Sequence, residues 1–398
     1  MKLLYIHQYF KTPAEPGGTR SYWISKEMIK RGHQVVMITS TNKNHPNAGV
    51  EMIDGIEVHY VKNAYNNYMS IPRKLWSFVN FIRLAINESK KQKDIDLVFA
   101  TSTPLTVGYI ALKLKKTKGW KYVFEVRDLW PEFPIQIGAI KNKLAIKYLQ
   151  KLEKNIYQQS EHVIALSPGM KDGVIAAGIP ENKCTMVPNM SKPDEFFPHE
   201  PSKDIIEKFN IDMTKFNVIH FGSMGRANGL GYIIEAAKCI ADRNMDDVNF
   251  IFMGDGATFP IIKKQTEDYG LKNVQFLGNH NMKVVSEVVN CCDASMTSFM
   301  NLPILYTNSP NKLFDSLSAG KPIIVNSAGW TKDLVEKSNC GFFVDPENPK
   351  DFANKLIDIK EKKDTLKIWA ENARKLSLEV FDKNILSAKV ADVLEKCK

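Results

Sequence analysis

A predicted helix start near Ser309 carries residue types that suit a phosphorylated ligand. Ser309 is a favourable helix N-cap, Pro310 fits the first helical position, and Gly320 is a typical helix end. A helix N-terminus presents unpaired N–H groups and the positive end of a dipole, which suits a diphosphate. About one turn later, the carboxylate of Asp315 can accept hydrogen bonds from ribose hydroxyls. The pattern predicts a nucleotide-sugar site that includes Ser309, Pro310, Asn311 and Asp315.

Polar residues also follow predicted strands in the first half of the chain. Ligands of open parallel sheets bind beyond the carboxyl ends of the strands. Gly17 and Gly18 follow the first strand and allow close backbone approach to a ligand, although an ordinary tight turn explains them equally well. Arg127, Asp128 and Glu132 follow another strand, and so many charges at a buried strand end predict either a site or a local ion pair.

Two glycine turns occupy the same position in the second half. Gly222 and Arg226 follow one predicted strand, and Gly254 and Asp255 follow the next. A guanidinium can make paired hydrogen bonds to phosphate oxygens, so Arg226 is a candidate diphosphate ligand. The prediction that this turn binds phosphate is stronger because the turn lies in the same half of the chain as the predicted helix after Ser309.

Composition excludes several classes of protein. The 54 Lys and Arg residues exceed the 44 Asp and Glu residues, so the net charge of +10 favours anionic partners. The chain has no zinc-type His or Cys spacing, no GxSxG elbow and no GxxxxGK[ST] phosphate loop. Asp94 and Asp96 form a DxD pattern, but they precede a strand and so lie away from the expected ligand end. We expect no metal site and no cofactor.

Short apolar runs alternate with longer amphipathic ones, which predicts an α/β fold with parallel sheets covered by helices. We predict strands in the first half at 3–7, 34–40, 56–61, 97–102, 121–126, 162–167 and 184–188. The pattern then restarts, with strands at 217–222, 249–254, 274–278, 294–299, 321–326 and 341–344.

The restart predicts two domains. A Pro-rich stretch marks a linker at about 191–202, between an N-terminal domain at 1–190 and a C-terminal domain at 203–380. Apolar spacing after 384 predicts a terminal amphipathic helix, and we assign the segment 381–398 to pack back on the first domain.

The chain has no uninterrupted run of about 18 apolar residues, which is the length that a membrane-spanning helix needs. Its N-terminus does not read as a signal peptide. Two basic amphipathic stretches, 71–93 and 141–154, suit either an anionic membrane surface or a solvated outer helix. Trp76 and Phe78 add possible membrane anchors to the first stretch.

The segment NSPNKLFDSLSAGKPIIV, together with RDLWPE at Arg127, VPN at Asn189 and FMGDG at Gly254, resembles retaining glycosyltransferases of family 4. The bacterial surface-polysaccharide branch, similar to N-acetylfucosamine transferases, matches best. The resemblance implies a GT-B fold, with two facing doubly wound Rossmann-like domains and a C-terminal crossover helix. It also implies metal-independent transfer from a nucleotide sugar bound mainly by the C-terminal domain.

The chain departs from this family at two places. The paired glutamates of the family fall on Thr307 and Asp315, so the first carboxylate is absent. Arg226 is present, but Asn228 and Gly229 stand where the family commonly has Lys-Gly. We hypothesise that Lys312 supplies the second cation. Arg127, Asp128, Arg226 and Lys312 are the predicted catalytic residues.

The remaining predicted contacts with the nucleotide sugar are Gly17, Gly18, Glu132, Asn189, Gly222, Gly254 and Asp255. The predicted activity is transfer of a hexose or N-acetylhexosamine from a UDP-sugar to a polyprenyl-diphosphate-linked saccharide of a capsule or O-antigen. We expect a cytoplasmic protein that contacts an anionic membrane peripherally and binds no nucleic acid. The alternatives are a UDP-sugar 2-epimerase of the same fold and a basic nucleic-acid-binding protein.

Overall fold

The computed structural model describes residues 1–15, 17–63 and 69–398, without the side chain of Ile71. Pro16, which precedes the predicted glycine turn, therefore lies outside the described residues. Two compact units divide the chain. The first comprises Met1–Pro188, Thr307–Ser309 and Lys383–Lys398, and the second comprises Asn189–Tyr306 and Pro310–Asp382.

The linker predicted at about 191–202 lies within the second unit. Ser191 is buried, and its backbone N–H donates to the carbonyl of Phe381 at 2.8 Å. Lys192, also buried, lies 3.0 Å from the carboxylate of Asp315. These contacts hold the start of the segment against the second unit.

The first unit is built on one sheet with the strand order β3-β4-β2-β1-β5-β6-β7-β8. Its strands are β1 Lys2–Ile6, β2 Gln34–Ser40, β3 Gly49–Ile53, β4 Ile56–Val61, β5 Leu97–Thr101, β6 Tyr122–Val126, β7 His162–Ala165 and β8 Cys184–Met186. Every pairing is parallel except that of β3 with β4. The strand order reverses direction at β1 and β5, which makes their carboxyl ends the expected ligand position.

The second unit has an all-parallel sheet with the order β11-β10-β9-β12-β13-β14. Its strands are β9 Phe216–Ser223, β10 Val248–Asp255, β11 Val274–Gly278, β12 Ala294–Thr297, β13 Ile323–Val325 and β14 Gly341–Phe343. Counted within the unit, this order is 3-2-1-4-5-6, the doubly wound arrangement of dinucleotide-binding folds. Its switch point lies between β9 and β12.

The helices follow the strands in the alternation that the sequence predicts. They are α1 Arg20–Lys30, α2 Ile71–Lys90, α3 Thr106–Lys118, α4 Glu132–Gln136, α5 Lys143–Gln159, α6 Pro168–Ala176, α7 Lys203–Phe209, α8 Gly231–Ala241, α9 Phe259–Asp268, α10 Met282–Asn290, α11 Asn311–Ser318, α12 Trp330–Lys337, α13 Pro349–Ile359, α14 Lys363–Glu379 and α15 Lys383–Lys396. This alternation confirms the prediction of two parallel α/β units. Among the described residues, no helix is both long and apolar enough to cross a bilayer.

Each predicted strand overlaps an observed one, but the sequence analysis missed β3. This strand pairs antiparallel with β4 through a turn at Asp54 and Gly55, both of which have positive φ. Val50 and Met52 on β3 are 59% and 67% exposed, so the strand lacks the apolar run that marks a buried strand. The Asp-Gly pair is a strong two-residue hairpin signal and would have revealed it.

Helix α2 buries only part of its apolar face. Of the residues that helical spacing puts on that face, Leu75 and Val79 are 55% and 63% exposed, whereas Ile82 and Ile86 pack partly buried against the core of the first unit. The helix also buries Phe81 and Ala85 in that core. The N-terminal half of α2 therefore leaves large apolar side chains in solvent.

The terminal helix α15 belongs to the first unit and packs on α1. At the end of α1, the guanidinium of Arg31 lies 2.7 Å from Asp392 and 2.9 Å from Glu395. His33 lies 2.7 Å from the same Glu395 carboxylate. This small cluster of ion pairs accompanies the buried apolar residues Val390 and Leu394.

A buried ion pair joins α1 to the centre of the first sheet. Arg20 Nε lies 2.8 Å from Glu125 Oε1, and the two side chains are 1% and 0% exposed. Glu125 also accepts a hydrogen bond from Thr101 Oγ1 at 3.1 Å, and Arg20 donates to the carbonyl of Val187 at 3.0 Å. Both charges are thus satisfied without water, which is the condition for burying them.

We expect Glu125→Gln to destabilise the first unit by about 3–5 kcal/mol, because it leaves the Arg20 guanidinium buried without a countercharge. Urea unfolding followed by circular dichroism measures the loss. Lys30→Met is the matched control, since Lys30 lies on the same helix with its side chain 78% exposed. Equal stability of the two variants would contradict the assigned role of the buried pair.

Candidate functional site

The helix after Ser309 forms one residue later than predicted. Pro310 is extended, with φ −78° and ψ 130°, and acts as the N-cap, so α11 begins at Asn311. Its end is as predicted. Gly320 has φ +60°, its N–H donates to the carbonyl of Leu317, and the N–H of Lys321 donates to that of Ser316. These two bonds form a Schellman motif, which needs the left-handed conformation that glycine adopts easily.

Close approach of two strands explains the glycines at the carboxyl ends of β9 and β10. A Cβ atom on Gly254 would lie 1.9 Å from the carbonyl oxygen of Gly222, and one on Gly256 would lie 2.6 Å from that of Met224. Gly222 itself has φ +96°, and its open side lies near the side chain of Lys312. Packing therefore requires a glycine at position 254, and Gly222 lies near Lys312. The contacts of both glycines with a nucleotide sugar stay predictions.

Lys312, in the first turn of α11, brings an amine to the loop after β9. Its Nζ lies 3.1 Å from His220 Nε2 and 3.2 Å from Asn228 Oδ1. Burial lowers the pKa of Lys312 to about 7. The two neighbours are neutral acceptors, so the ammonium form carries a positive charge that its protein partners do not neutralise.

Arg226 lies on the same loop and is exposed. Within the described part of the chain, its side chain forms no hydrogen bond or ion pair. A free guanidinium and a partly buried ammonium thus accompany one glycine turn at the switch point of the second sheet. This arrangement suits a diphosphate, whose oxygens accept from both groups.

Asp315 lies deeper in α11 than the predicted ribose contact requires. Its exposed fraction is 3%, and its Oδ1 lies 3.0 Å from Lys192 Nζ. Burial acts to lower the pKa of Lys192, but the carboxylates of Asp315 and Glu195 outweigh this effect and raise it. The Asp315 carboxylate therefore has a protein countercharge, and its contact with ribose stays a prediction.

The predicted contacts at Asp255, Asn189 and Ser309 differ in their burial. Asp255 accepts a hydrogen bond from the N–H of Gly256 at 2.7 Å and is otherwise exposed. Asn189 is 4% exposed at the start of the unit. Ser309 is buried and falls in the first unit of the division, directly before Pro310 and Asn311. Their contacts with a nucleotide sugar stay predictions.

In the first unit, a second histidine meets a second cation at the carboxyl ends of the strands. His7 follows β1 and is 2% exposed, with Nδ1 2.8 Å from Ser21 Oγ and Nε2 3.4 Å from the Arg127 guanidinium. Burial and the Arg127 charge hold the pKa of His7 well below its ordinary value. The N–H of Arg127 donates to Ser102 Oγ at 2.9 Å.

Asp128 and Glu132 complete the predicted cluster after β6. Burial raises the pKa of Asp128 to about 6, although the Arg127 charge acts in the opposite direction. Glu132 opens α4 and accepts a hydrogen bond from Gln136 at 2.6 Å. Arg127 thus lies beside His7 and close to Asp128, whereas Glu132 is engaged in its own helix. The contact of Glu132 with a nucleotide sugar stays a prediction.

The glycine turn after β1 leads into α1, and the contact of Gly17 and Gly18 with a nucleotide sugar stays a prediction. Gly17 has φ +132°, which favours glycine, and Gly18 directly precedes Thr19, the N-cap of α1. Asp96 accepts a hydrogen bond from the N–H of Lys2 at 2.7 Å, at the amino ends of β1 and β5. The DxD pattern lies at the opposite end of the sheet from His7 and Arg127.

Sequence reasoning did not single out His7, His220 or Lys192. His7 directly follows the first strand, so the rule that ligands bind at carboxyl ends could have identified it. His220 lies inside the buried strand β9, where a histidine reads as a core residue, and its link to Lys312 spans 92 positions. The sequence offers no signal for that pairing or for Lys192.

Two protein-family models match consecutive parts of the chain. The model described as Glycosyltransferase Family 4 matches residues 17–194. The model described as Glycosyl transferases group 1 matches residues 201–376. The two domain matches favour glycosyl transfer over the epimerase and nucleic-acid alternatives.

A curated relative and two solved structures resemble the chain over most of its length. The probable glycosyltransferase WbjE of Pseudomonas aeruginosa is 21% identical, and the alignment covers 87% of each chain. The structure of Anabaena Alr3699/HepE in complex with UDP-glucose is 17% identical over the whole of both chains, with a TM-score of 0.73. That of WaaG, a glycosyltransferase involved in lipopolysaccharide biosynthesis, is 16% identical over 98% of this chain and 99% of WaaG, with a TM-score of 0.71.

These matches confirm the predicted fold class, since the structural neighbours have the GT-B fold and each unit here carries a Rossmann-like parallel sheet. The chain is a glycosyltransferase of GT-B type, in which a Glycosyltransferase Family 4 domain precedes a Glycosyl transferases group 1 domain.

Proposed function

We propose that the protein transfers a hexose or N-acetylhexosamine from a UDP-sugar, with retention, to a polyprenyl-diphosphate-linked saccharide of a bacterial surface polysaccharide. The observation that carries the donor assignment is the amine of Lys312, held by neutral acceptors at the Gly222 loop beside Arg226. The HepE structure, described as a complex with UDP-glucose, supports a uridine nucleotide as the donor group. The acceptor class is supported by the involvement of WaaG in lipopolysaccharide biosynthesis.

Lys312 and Arg226 act on the leaving group in this proposal. When the bond between the anomeric carbon and the phosphate oxygen breaks, negative charge grows on the departing diphosphate. Cations fixed in advance near those oxygens stabilise the growing charge more than they stabilise the bound substrate. The protein supplies both cations, so the proposed reaction needs neither a metal nor a cofactor.

Arg127 and Asp128 are assigned to the transferred sugar and its acceptor. A carboxylate with a pKa near 6 is ionised at neutral pH, yet it can exchange a proton with a hydroxyl group. Arg127 keeps that carboxylate beside a positive charge and contacts the neutral His7. We assign the first unit to the acceptor on this basis.

Membrane contact is assigned to two exposed faces of the first unit. On α2, Leu75, Trp76 and Val79 are 55%, 66% and 63% exposed beside the basic residue Arg83. On α5, Leu144 and Tyr148 are exposed among lysines, namely Lys143, Lys147, Lys151 and Lys154. Apolar anchors with basic neighbours suit an anionic bilayer, where a lipid-linked acceptor resides.

UDP binding should depend on the protonation of Lys312. The amine of the free protein loses its proton as the pH rises through about 7, while a bound diphosphate stabilises the ammonium form. We therefore expect UDP affinity to fall by up to about tenfold per pH unit above pH 7. Calorimetry above pH 7 measures this, because the terminal phosphate, with a pKa of about 6, is already ionised there.

Lys312→Met should weaken UDP binding at pH 7 by about tenfold or more and abolish the pH dependence. Lys283→Met is the matched control, since Lys283 is an exposed lysine of the same unit. UDP should bind more tightly than GDP. A wild-type protein that binds neither UDP nor any UDP-sugar would refute the proposed donor.

Asp128→Asn should lower turnover by about tenfold or more while changing the dissociation constant of UDP by less than about twofold. The carboxylate is ionised above about pH 6, so wild-type activity should fall below that pH and the variant should lose this limb. Release of UDP from the UDP-sugar measures turnover. Asp172→Asn, at an exposed aspartate, is the control, and normal turnover of Asp128→Asn would remove Asp128 from the mechanism.

The protein should float with phosphatidylglycerol vesicles at low salt and bind phosphatidylcholine vesicles far less, because basic residues attract anionic lipids over a Debye length. Replacing both Trp76 and Val79 with Ser should reduce the bound fraction. Ile261→Ser is the control, since Ile261 is 62% exposed on the second unit. Equal flotation of both variants would exclude the α2 face as the membrane contact.

A further inference from the structure

His220 is a buried histidine for which the proposed transfer has so far required no role. It lies in β9, the strand at the switch point of the second sheet, and is 2% exposed. Its Nδ1 lies 3.2 Å from the carbonyl oxygen of Met296 on the neighbouring strand β12. Its Nε2 lies 3.1 Å from Lys312 Nζ. The ring therefore joins the middle of the sheet to the amine at the candidate site.

The partners of His220 determine which nitrogen carries the proton. A carbonyl oxygen only accepts hydrogen bonds, so Nδ1 donates to Met296. The backbone of Ser223 is a further hydrogen-bond partner of the ring, but Nε2 lies 3.1 Å from the Lys312 ammonium, which can only donate and therefore needs an acceptor there. Burial and the charge of Lys312 hold the pKa of His220 well below its ordinary value, so the ring is neutral and Nε2 carries a lone pair. That lone pair accepts from the ammonium of Lys312.

Asn228 is oriented in the same way by the backbone. Its Nδ2 donates to the carbonyl oxygen of Ser223 at 2.9 Å, which turns Oδ1 toward Lys312 Nζ at 3.2 Å. Two acceptors, each held by a backbone carbonyl, thus fix two of the three N–H groups of the ammonium. Among the described residues, the third N–H has no hydrogen-bond partner.

The charged groups near Lys312 do not replace these acceptors. Asp315, the nearest carboxylate along α11, is paired with Lys192. Arg226 on the loop after β9 carries the same charge as Lys312 and cannot accept a hydrogen bond. His220 and Asn228 are therefore what holds the desolvated amine in place without cancelling its charge.

We propose that His220 is a positioning residue that holds the ammonium of Lys312 by accepting one of its hydrogen bonds, so that the remaining N–H points to the diphosphate of the donor. This inference rests on the proposed function, because it assigns the ligand of that same site. His220 acts only through Lys312. An acceptor at Nε2 favours the charged form of the amine, and its removal favours the neutral form.

The experiment compares two variants at position 220. His220→Phe fills a similar volume beside Phe252 but has no acceptor, whereas His220→Gln keeps an acceptor oxygen near the position of Nε2. The titration of Lys312 is followed by proton–carbon correlation spectra of protein with ¹³Cε-labelled lysine, and Lys312→Met assigns the signal. This measurement needs neither UDP nor an acceptor. Thermal unfolding of each variant verifies that it folds.

We expect the titration midpoint of Lys312 to move to lower pH in His220→Phe and to stay near the wild-type value in His220→Gln. The dissociation constant of UDP should rise by about fivefold or more in His220→Phe and by less than about twofold in His220→Gln. The double variant His220→Phe/Lys312→Met should bind UDP as Lys312→Met does, because the histidine acts through the lysine.

An unchanged Lys312 titration in a folded His220→Phe variant would overturn the inference. Multiplicative losses of UDP affinity in the double variant would also overturn it, since they would show that His220 acts independently of Lys312. A wild-type protein that does not bind UDP would refute the proposed function instead. In that case, the titration still decides whether His220 holds the amine.

Discussion

The second unit depends on one constraint. Lys312 must keep a positive charge at the carboxyl end of a parallel sheet without a carboxylate beside it. Lys312 is partly buried, and burial opposes its charged form. A carboxylate partner would stabilise that charge but would also compete with a diphosphate for it. The chain instead supplies the neutral acceptors His220 and Asn228, while Asp315 is neutralised by Lys192. The charge of Lys312 thus stays available to an anionic ligand.

The first unit repeats this arrangement with different residues. His7, at the end of the first strand of its sheet, is neutral and lies beside the guanidinium of Arg127. The buried carboxylate of Glu125, two residues before Arg127, forms an ion pair with Arg20 and is therefore not a partner of the His7–Arg127 pair. In both units, a buried histidine in or directly after the first strand of the sheet meets a cation supplied by a later element. The two sheets therefore present cations at their carboxyl ends, while the buried carboxylates of Glu125 and Asp315 are paired with Arg20 and Lys192.

The contacts of Lys312 explain one of the two departures from the family pattern. Asn228 stands where the family commonly has a lysine. Its amide oxygen accepts a hydrogen bond from the amine of Lys312 on α11. A second ammonium at position 228 would repel Lys312 and remove one of its acceptors. Asn228 is itself held by the carbonyl of Ser223, five residues earlier at the end of β9.

The sequence by itself determined the alternation of strands and helices, the restart of that alternation at a Pro-rich stretch, the helix end at Gly320 and the glycines at the ends of β9 and β10. These features depend on residues close together in the chain, where periodicity, capping and backbone freedom act locally. The edge strand β3 escaped because its side chains are exposed, although its Asp-Gly turn was a readable signal. Only the tertiary structure decided which charges are paired. Lys192 meets Asp315 across 123 positions and His220 meets Lys312 across 92, and such partners follow from the packing of strands and helices, which no local pattern records.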